Sequence, residues 1–300
     1  MTATACLSIL IYHRVLPQPD PLLPSLPDVR LFDRQMALLK RCFRVMPLVV
    51  AARHLQDGTL PARAACITFD DGYADNAEWA MPILQRHHLS ATFFIASAYL
   101  NGGQMWNDDV IDCIRRESSG RLDGGPANCG VIPVATLAQK RQAIDLLLHR
   151  LKYLPYEERL TVARRLAPKR HEELMMRSDQ VRALLAGGME VGAHTHRHPI
   201  LTAIADADAH ADIAEGKAAL EAITQAPVTL FAYPNGKPGV DYDDRHVEIV
   251  RSLGFTTAVS TVAGIAQAGS DLLQLPRFTP WERDRPRFLL RLLASRMAAA

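Results

Sequence analysis

The chain has 300 residues, 48% of them hydrophobic and 22% charged, with a formal net charge of +2. There is enough apolar material for one large α/β domain or two small ones, and the near-neutral charge gives no reason to expect nucleic acid or an acidic membrane as the main partner. Five cysteines (Cys6, Cys42, Cys66, Cys113 and Cys129) with no CxxC spacing argue against a disulfide framework or a thiolate zinc site.

Cys6 to Ile11 is a continuous apolar run, the pattern of a strand covered on both faces. No basic segment precedes it and no small-residue cleavage pattern follows it, so it reads as a strand and not as a signal-peptide core. No other stretch is long and apolar enough to span a bilayer, and the expected location is cytoplasmic. A Pro-rich loop runs from Pro17 to Pro27. Phe32 to Cys42 has helical spacing. Ala65 to Phe69 is a second strand, Asp75 to His88 a helix bent at Pro82, and Ala91 to Ala96 a third strand.

The strand–helix rhythm breaks between about residues 101 and 177. This stretch reads as a mostly helical insertion, with helical patterns at Ala143 to Leu151 and Glu157 to Leu166. Its basic stretch, from Arg164 and Arg165 to Lys169 and Arg170, reads as a solvated helix end. The rhythm resumes with Ser178 as N-cap of a helix over Asp179 to Leu185, which Gly187 and Gly188 end. Further strands are expected at Met189 to Ala193, Val228 to Ala232, Phe255 to Val259 and Leu272 to Phe278. Helices are expected at Asp208 to Thr224, at Tyr242 to Leu253 and at the carboxyl end. Alternating strands and helices imply a parallel sheet, and about seven such units can close it into an irregular barrel within a single domain over 1–300.

Three polar segments sit where apolar runs end: Thr68-Phe69-Asp70-Asp71-Gly72, His194-Thr195-His196-Arg197-His198, and Tyr12-His13. In a parallel barrel the strand carboxyl ends share one face, which lets distant segments converge. Adjacent carboxylates on a strand point to opposite sides, so Asp70 and Asp71 should do different jobs, one holding a metal and the other serving as base. An EF-hand is excluded, because the glycine and terminal glutamate positions of that loop are absent. His194 and His198 can reach one ion if the chain turns after the strand; Pro199 favours a tight loop there, and His196 is not counted as a ligand. His13 can protonate a leaving amine as general acid. Phe231-Ala232-Tyr233-Pro234-Asn235-Gly236 is another strand-end turn, whose backbone N–H groups can face an oxyanion. Trp106, Tyr99 and Trp281 are candidate aromatic rings for a binding groove, a role that competes with the core packing more usual for them. This donor set points to hydrolysis of an amide or ester at a mononuclear divalent metal centre.

The TFDDG and HTHRH segments together resemble the polysaccharide deacetylase family (NodB homology, carbohydrate esterase family 4). The resemblance implies a distorted (β/α)7 barrel that removes acetyl groups from N-acetylated sugars. It implies Asp70 as base and Asp71, His194 and His198 as metal ligands. The family's third motif often carries an arginine that orients the base. Here Ala232 stands in its place, and Arg277 in Leu275-Pro276-Arg277-Phe278 is the candidate substitute. Ile11-Tyr12-His13-Arg14-Val15 matches the permuted order of the poly-N-acetylglucosamine deacetylase subgroup, which implies that His13 is the acid.

The expected function is therefore a metal-dependent N-deacetylase acting on an N-acetylated amino sugar or glycan, in surface-polysaccharide metabolism and in contact with a synthesis complex. Tyr233 and Asn235 are the expected oxyanion and substrate residues. Two imidazoles and one carboxylate suit zinc, while cobalt, nickel, iron or manganese also fit. The rival readings are hydrolysis of another non-peptide C–N bond, such as a cyclic ureide or a small N-acyl compound, and a non-catalytic carbohydrate-binding relative.

Overall fold

In the computed structural model the described residues are 6–168 and 173–298. In chain order the strands are β1 (Cys6–Tyr12), β2 (Arg44–Val45), β3 (Ala64–Phe69), β4 (Thr92–Ile95), β5 (Arg121–Asp123), β6 (Val131–Pro133), β7 (Glu190–Ala193), β8 (Leu230–Ala232), β9 (Thr257–Ala263), β10 (Ala266–Gln267) and β11 (Leu275–Arg277). The helices are α1 (Val29–Cys42), α2 (Leu48–Gln56), α3 (Met81–His87), α4 (Trp106–Arg116), α5 (Leu137–Lys152), α6 (Tyr156–Leu166), α7 (Ser178–Ala186), α8 (Asp206–Thr224), α9 (Asp244–Ser252) and α10 (Arg285–Ala298).

Strands β1, β3, β4, β7, β8, β9 and β11 follow one another round the sheet, each parallel to the next. A bridge between Leu10 and Phe278 brings β11 back to β1: Ile11 N–H donates to Phe278 O at 3.0 Å and Phe278 N–H to Ile9 O at 2.7 Å. The result is a distorted, nearly closed (β/α)7 barrel. β10 lies antiparallel on the start of β1.

The apolar runs are continuous because both strand faces are covered. Leu7, Ile9, Cys66, Phe94, Val259 and Leu275 form one cluster, which α2 joins through Leu48, Ala51 and Leu55. The alternate residues Leu10, Tyr12, Ile67, Phe69, Phe93 and Phe231 pack outward with the surrounding helices. The period of two continues past the strands, so Asp70 follows Cys66 and Thr68 on one face, and Arg277 follows Leu275 on the same face.

Several expectations need adjustment. The helix after TFDDG is not one bent α-helix: Asn76–Ala80 forms a π-turn, in which Met81 N–H reaches Asn76 O, and α3 then starts with Pro82 in its first turn. Pro82 has no N–H to give to an α-helical ladder, and the wider turn absorbs the defect. Ser178 is the first helical residue and not the cap; its N–H is met by Asn101 Oδ1 at 2.9 Å. The inserted stretch holds α4, α5 and α6 and also the β5–β6 hairpin. It packs an apolar cluster of its own around Ile114, Leu147, Leu151 and Leu166. Arg164 and Arg165 are exposed at the end of α6, whereas Lys169 and Arg170 lie outside the described residues. Cys6 and Cys66 are buried thiols. Among the described residues no helix is long and apolar enough to cross a membrane.

Candidate metal centre and active site

Five strand ends, those of β1, β3, β7, β8 and β11, build the site. β3 runs into Asp70 and then turns at once: Asp71 has φ 80° and Gly72 φ 93°. At Gly72 a side chain would also meet Ile95 Cγ2 at 2.9 Å, so glycine is required on two grounds. Asp71 O accepts from Ala96 N, and Gly72 O from Met176 N, which fixes the turn against the end of β4 and the chain leading to α7. β7 delivers His194, and the next residues form a compact loop. His198 N donates to Thr195 Oγ1 at 3.0 Å, and Asp212 of α8 accepts from His196 N at 2.8 Å and Arg197 N at 3.0 Å. Thr195 and His198 are both left-handed, with φ of 63° and 54°. Non-glycine residues in this region are strained, and here they cluster where side chains must converge.

The convergence is tight. One ligand atom from each of Asp71, His194 and His198 lies within 4.8 Å of the others. The two Nε2 atoms are 3.1 Å apart, and Asp71 Oδ1 is 3.5 Å from His194 Nε2 and 3.4 Å from His198 Nε2. Ligands about 2.0–2.1 Å from a tetrahedral ion stand about 3.3 Å from each other, so this spacing fits one small divalent cation. The tautomer agrees. His194 Nδ1 lies 2.7 Å from Ala232 O, to which it donates, leaving the Nε2 lone pair facing the cluster. His196 points elsewhere, with Nδ1 2.8 Å from Ser97 Oγ and Nε2 3.4 Å from Glu215.

Electrostatics favour one positive charge at this cluster. Burial pushes the Asp71 carboxyl up, but the His194 hydrogen bond and the His13 and His198 imidazoles outweigh it and hold the group below its ordinary range. Burial opposes charge on both histidines. At His194 the Asp71 hydrogen bond overcomes it, whereas burial and the adjacent His194 push His198 down to about 3.

Asp70 is held separately. Its carboxylate meets Arg277 in a two-pronged contact: Nη1 to Oδ1 and Nη2 to Oδ2, both 2.7 Å. Arg277 also donates from Nε to Ser260 O at 2.7 Å and from Nη1 to Thr68 Oγ1 at 3.2 Å. The two charged groups are 1% and 2% exposed. Burial pushes Asp70 up, and the Arg277 and His194 charges bring it below its usual value, so it is a carboxylate beside the cluster and not part of it.

Asp70, Asp71, His194 and His198 line a cleft of about 470 Å³. His13 is exposed just past β1 and lines it as well. Its neighbours are pinned: His13 O accepts from Asn76 Nδ2 at 2.9 Å, and Arg14 pairs with Asp75 at 2.7 Å. Asn235, left-handed at φ 60°, also reaches the cleft. Tyr233 does not. Its ring is fully buried and stacked 3.8 Å from Tyr242, and its N–H donates to Val259 O, so the structure removes it from the substrate residues. The side chain continues the outward face of β8 that Phe231 occupies. Of the three aromatic candidates Trp106 lines the cleft; Tyr99 is buried with its hydroxyl donating to Arg197 O, and Trp281 stands 60% exposed against Arg291.

Sequence reasoning missed Asp212, which clamps the histidine loop. The signal was present: Asp212 is an acid inside the buried stripe Ala209, Asp212, Ile213, Gly216 and Leu220. It also missed Lys152, His149 and Arg159, which the insertion brings to the cleft wall. Nothing in their local pattern marks them.

A family profile described as polysaccharide deacetylase matches residues 57–258. Among solved structures, the Streptococcus pyogenes deacetylase PplD in complex with acetate superposes with a TM-score of 0.66 at 20% identity, covering 96% of this chain and 98% of that one. IcaB from Ammonifex degensii gives 0.65 at 19% identity, covering 97% of each chain. A de-N-acetylase from Aggregatibacter actinomycetemcomitans gives 0.59 at 15% identity, covering 96% and 99%. At these identities the likeness is one of fold. No curated sequence matches.

Proposed function

The chain belongs to the polysaccharide deacetylase family and is a hydrolase of the deacetylase type, and from that premise we propose that it is a metal-dependent N-deacetylase of an N-acetylated amino sugar within a surface glycan or its precursor. The observation that carries the reading is the pair of neighbouring aspartates in two environments. Asp71 faces two imidazole nitrogens at 3.4 and 3.5 Å, whereas Asp70 is locked to a buried arginine.

Asp71, His194 and His198 would hold one divalent ion, zinc being well suited to two nitrogens and one oxygen. Such an ion supplies Lewis acidity at the acetyl carbonyl and lowers the pKa of water. Asp70 takes the proton from the attacking water. Arg277 keeps it ionised and fixes its orientation, while each oxygen retains a lone pair beyond the one Arg277 uses. Asn235, at the turn after β8, faces the carbonyl oxygen as negative charge develops on it. His13 gives a proton to the departing nitrogen as the C–N bond breaks, which leaves acetate and a free amine. The histidine tautomer set by Ala232 O and the loop clamped by Asp212 keep these groups in place before substrate arrives.

The test is acetate release from N-acetylglucosamine oligomers and from small N-acyl amides, with wild-type protein and Asp70→Asn. The expected result is release from the sugars, loss of about 100-fold or more in the variant, and unchanged metal content in both. An Asp70→Asn protein that turns over like wild type removes Asp70 from the role of base.

A further inference from the structure

The insertion places on the cleft wall a cation that the deacetylation chemistry does not use. Arg159, on α6, is 4% exposed and lines the cleft with Asp71 and His198. Its Nη1 donates to Lys152 O at the end of α5, at 2.9 Å. Its Nε is buried with no acceptor. The faces of Trp106 and Tyr156 lie 5.4 and 5.5 Å from the guanidinium carbon, which favours the charge without supplying an in-plane acceptor. Burial holds its pKa below the ordinary arginine value, the mark of a charge not fully compensated. A buried guanidinium is ordinarily met by a carboxylate or a phosphate.

The surroundings carry the same sign. Lys152, whose ammonium stands over the Tyr153 ring at 5.2 Å, lines the wall beside Arg159. The carboxylates lining the cleft are Asp70 and Asp71, the first matched by Arg277 and the second grouped with two imidazoles. A ligand entering the cleft therefore meets net positive charge beside the reacting position.

We propose that Arg159, supported by Lys152, is an anion subsite, and that the preferred substrate carries an acidic group, phosphate or carboxylate, next to its N-acetyl sugar. The Nη edge of the guanidinium can donate to either acid. This deepens the deacetylase reading and rests on it for the identity of the sugar. It makes Arg159 a determinant of specificity, with no part in bond breaking.

The test is titration calorimetry of the full chain with three probes: N-acetylglucosamine 1-phosphate, a disaccharide of N-acetylglucosamine and glucuronate, and neutral di-N-acetylchitobiose. Each is titrated into metal-stripped and zinc-loaded protein, so that anion binding at zinc is separated from binding at Arg159. The expected result is tighter binding of one acidic probe than of the neutral one in both forms, and the acid that is preferred names the group. In Arg159→Gln that preference falls about 10- to 100-fold, the range for a charge-assisted hydrogen bond. Arg159→Lys keeps the charge without the fork, retains part of the preference, and stands in if the Gln variant does not fold. Equal affinities in wild type, or a preference that survives both substitutions, overturns the proposal. Acetate is assayed in the same samples. Arg159-dependent binding with no acetate from any probe overturns the deacetylase reading and leaves the subsite standing; acetate released with no acid preference does the reverse.

Discussion

Replacing Arg277 by Met should unsettle both stability and chemistry, and the structure says by how much. The side chain is 1% exposed and its carboxylate partner 2%, with two 2.7 Å hydrogen bonds between them. Neither group can recover water when the other is removed. Breaking a buried pair by deleting one partner costs about 3–5 kcal/mol, because the remaining charge is left uncompensated. The loss also has a pH signature. The folded pKa of Asp70 is depressed, so the pair contributes fully above the ordinary carboxylate value of about 3.9 and is lost as pH falls through the folded value. The gap between wild type and variant is therefore widest near pH 7 and narrows below about pH 4. In the variant burial is opposed by less positive charge, the Asp70 carboxyl rises, and less of it is ionised at neutral pH. Acetate release should fall about 100-fold or more, and its acidic limb should move to higher pH. Urea denaturation at pH 7 and pH 3.5, with a pH–rate profile, reads both effects; Arg277→Lys should retain part of each. An Arg277→Met protein that loses under about 1 kcal/mol and keeps its rate would refute the argument that Arg277 holds Asp70 ionised.

Gly216→Ala should run against helix propensity. In an ordinary helix Ala is favoured by about 1 kcal/mol, but here the new Cβ would lie 2.5 Å from the Thr195 carbonyl carbon, where α8 abuts the histidine loop. A net loss of about 1–3 kcal/mol and weaker metal binding are expected from thermal melts and metal titration; a raised melting temperature would contradict the close approach. Asp108 is pushed up to about 7 by burial, despite Arg14 and the Tyr73 hydroxyl donating to it at 3.0 Å. Because an acid with a raised folded pKa holds its proton more tightly when folded, stability should decline as pH rises from about 4 to 7, by on the order of 2–4 kcal/mol. Asp108→Asn should flatten that decline in urea titrations at stepped pH, and an unchanged slope would show that another group titrates. Metal analysis should find one divalent ion per chain, lost in His198→Ala. Chelation should lower the melting temperature of wild type but not of that variant, since a ligand present at 100 times its Kd stabilises by about 2.7 kcal/mol.

How much was readable depended on whether the physics was local. Strand β3 is recognisable as an apolar run, and the acids after it as a strand-end motif, because side-chain period and turn chemistry are properties of neighbouring residues. The same holds for His194 and His198, four apart with a proline after them, and for Asp212, an acid in an apolar stripe that could have been singled out. The π-turn at Asn76–Ala80 was half legible: Pro82 announced a defect in the ladder, but the form it took depends on how Asn76 reaches His13 O across the fold.

Other features needed the barrel itself. Tyr233 sits in a turn that looks exposed, yet the sheet carries its ring into the core against Tyr242. Arg277 was a candidate partner of Asp70 only because the family's arginine is missing at Ala232; the two lie more than two hundred residues apart, and closure of β11 onto β1 is what sets their side chains on the same face. Arg159 is one arginine among many in a helical insertion, and its burial beside the cleft follows from the way α4, α5 and α6 pack. Sequence alone determined the main barrel strands, the donor set and the ends of the strands at which the donors stand, because these obey short-range periodicity and stereochemistry. Which buried charge meets which partner, and which is left facing the cleft, was decided by tertiary structure, because desolvation and Coulomb energy depend on distance through space and not along the chain.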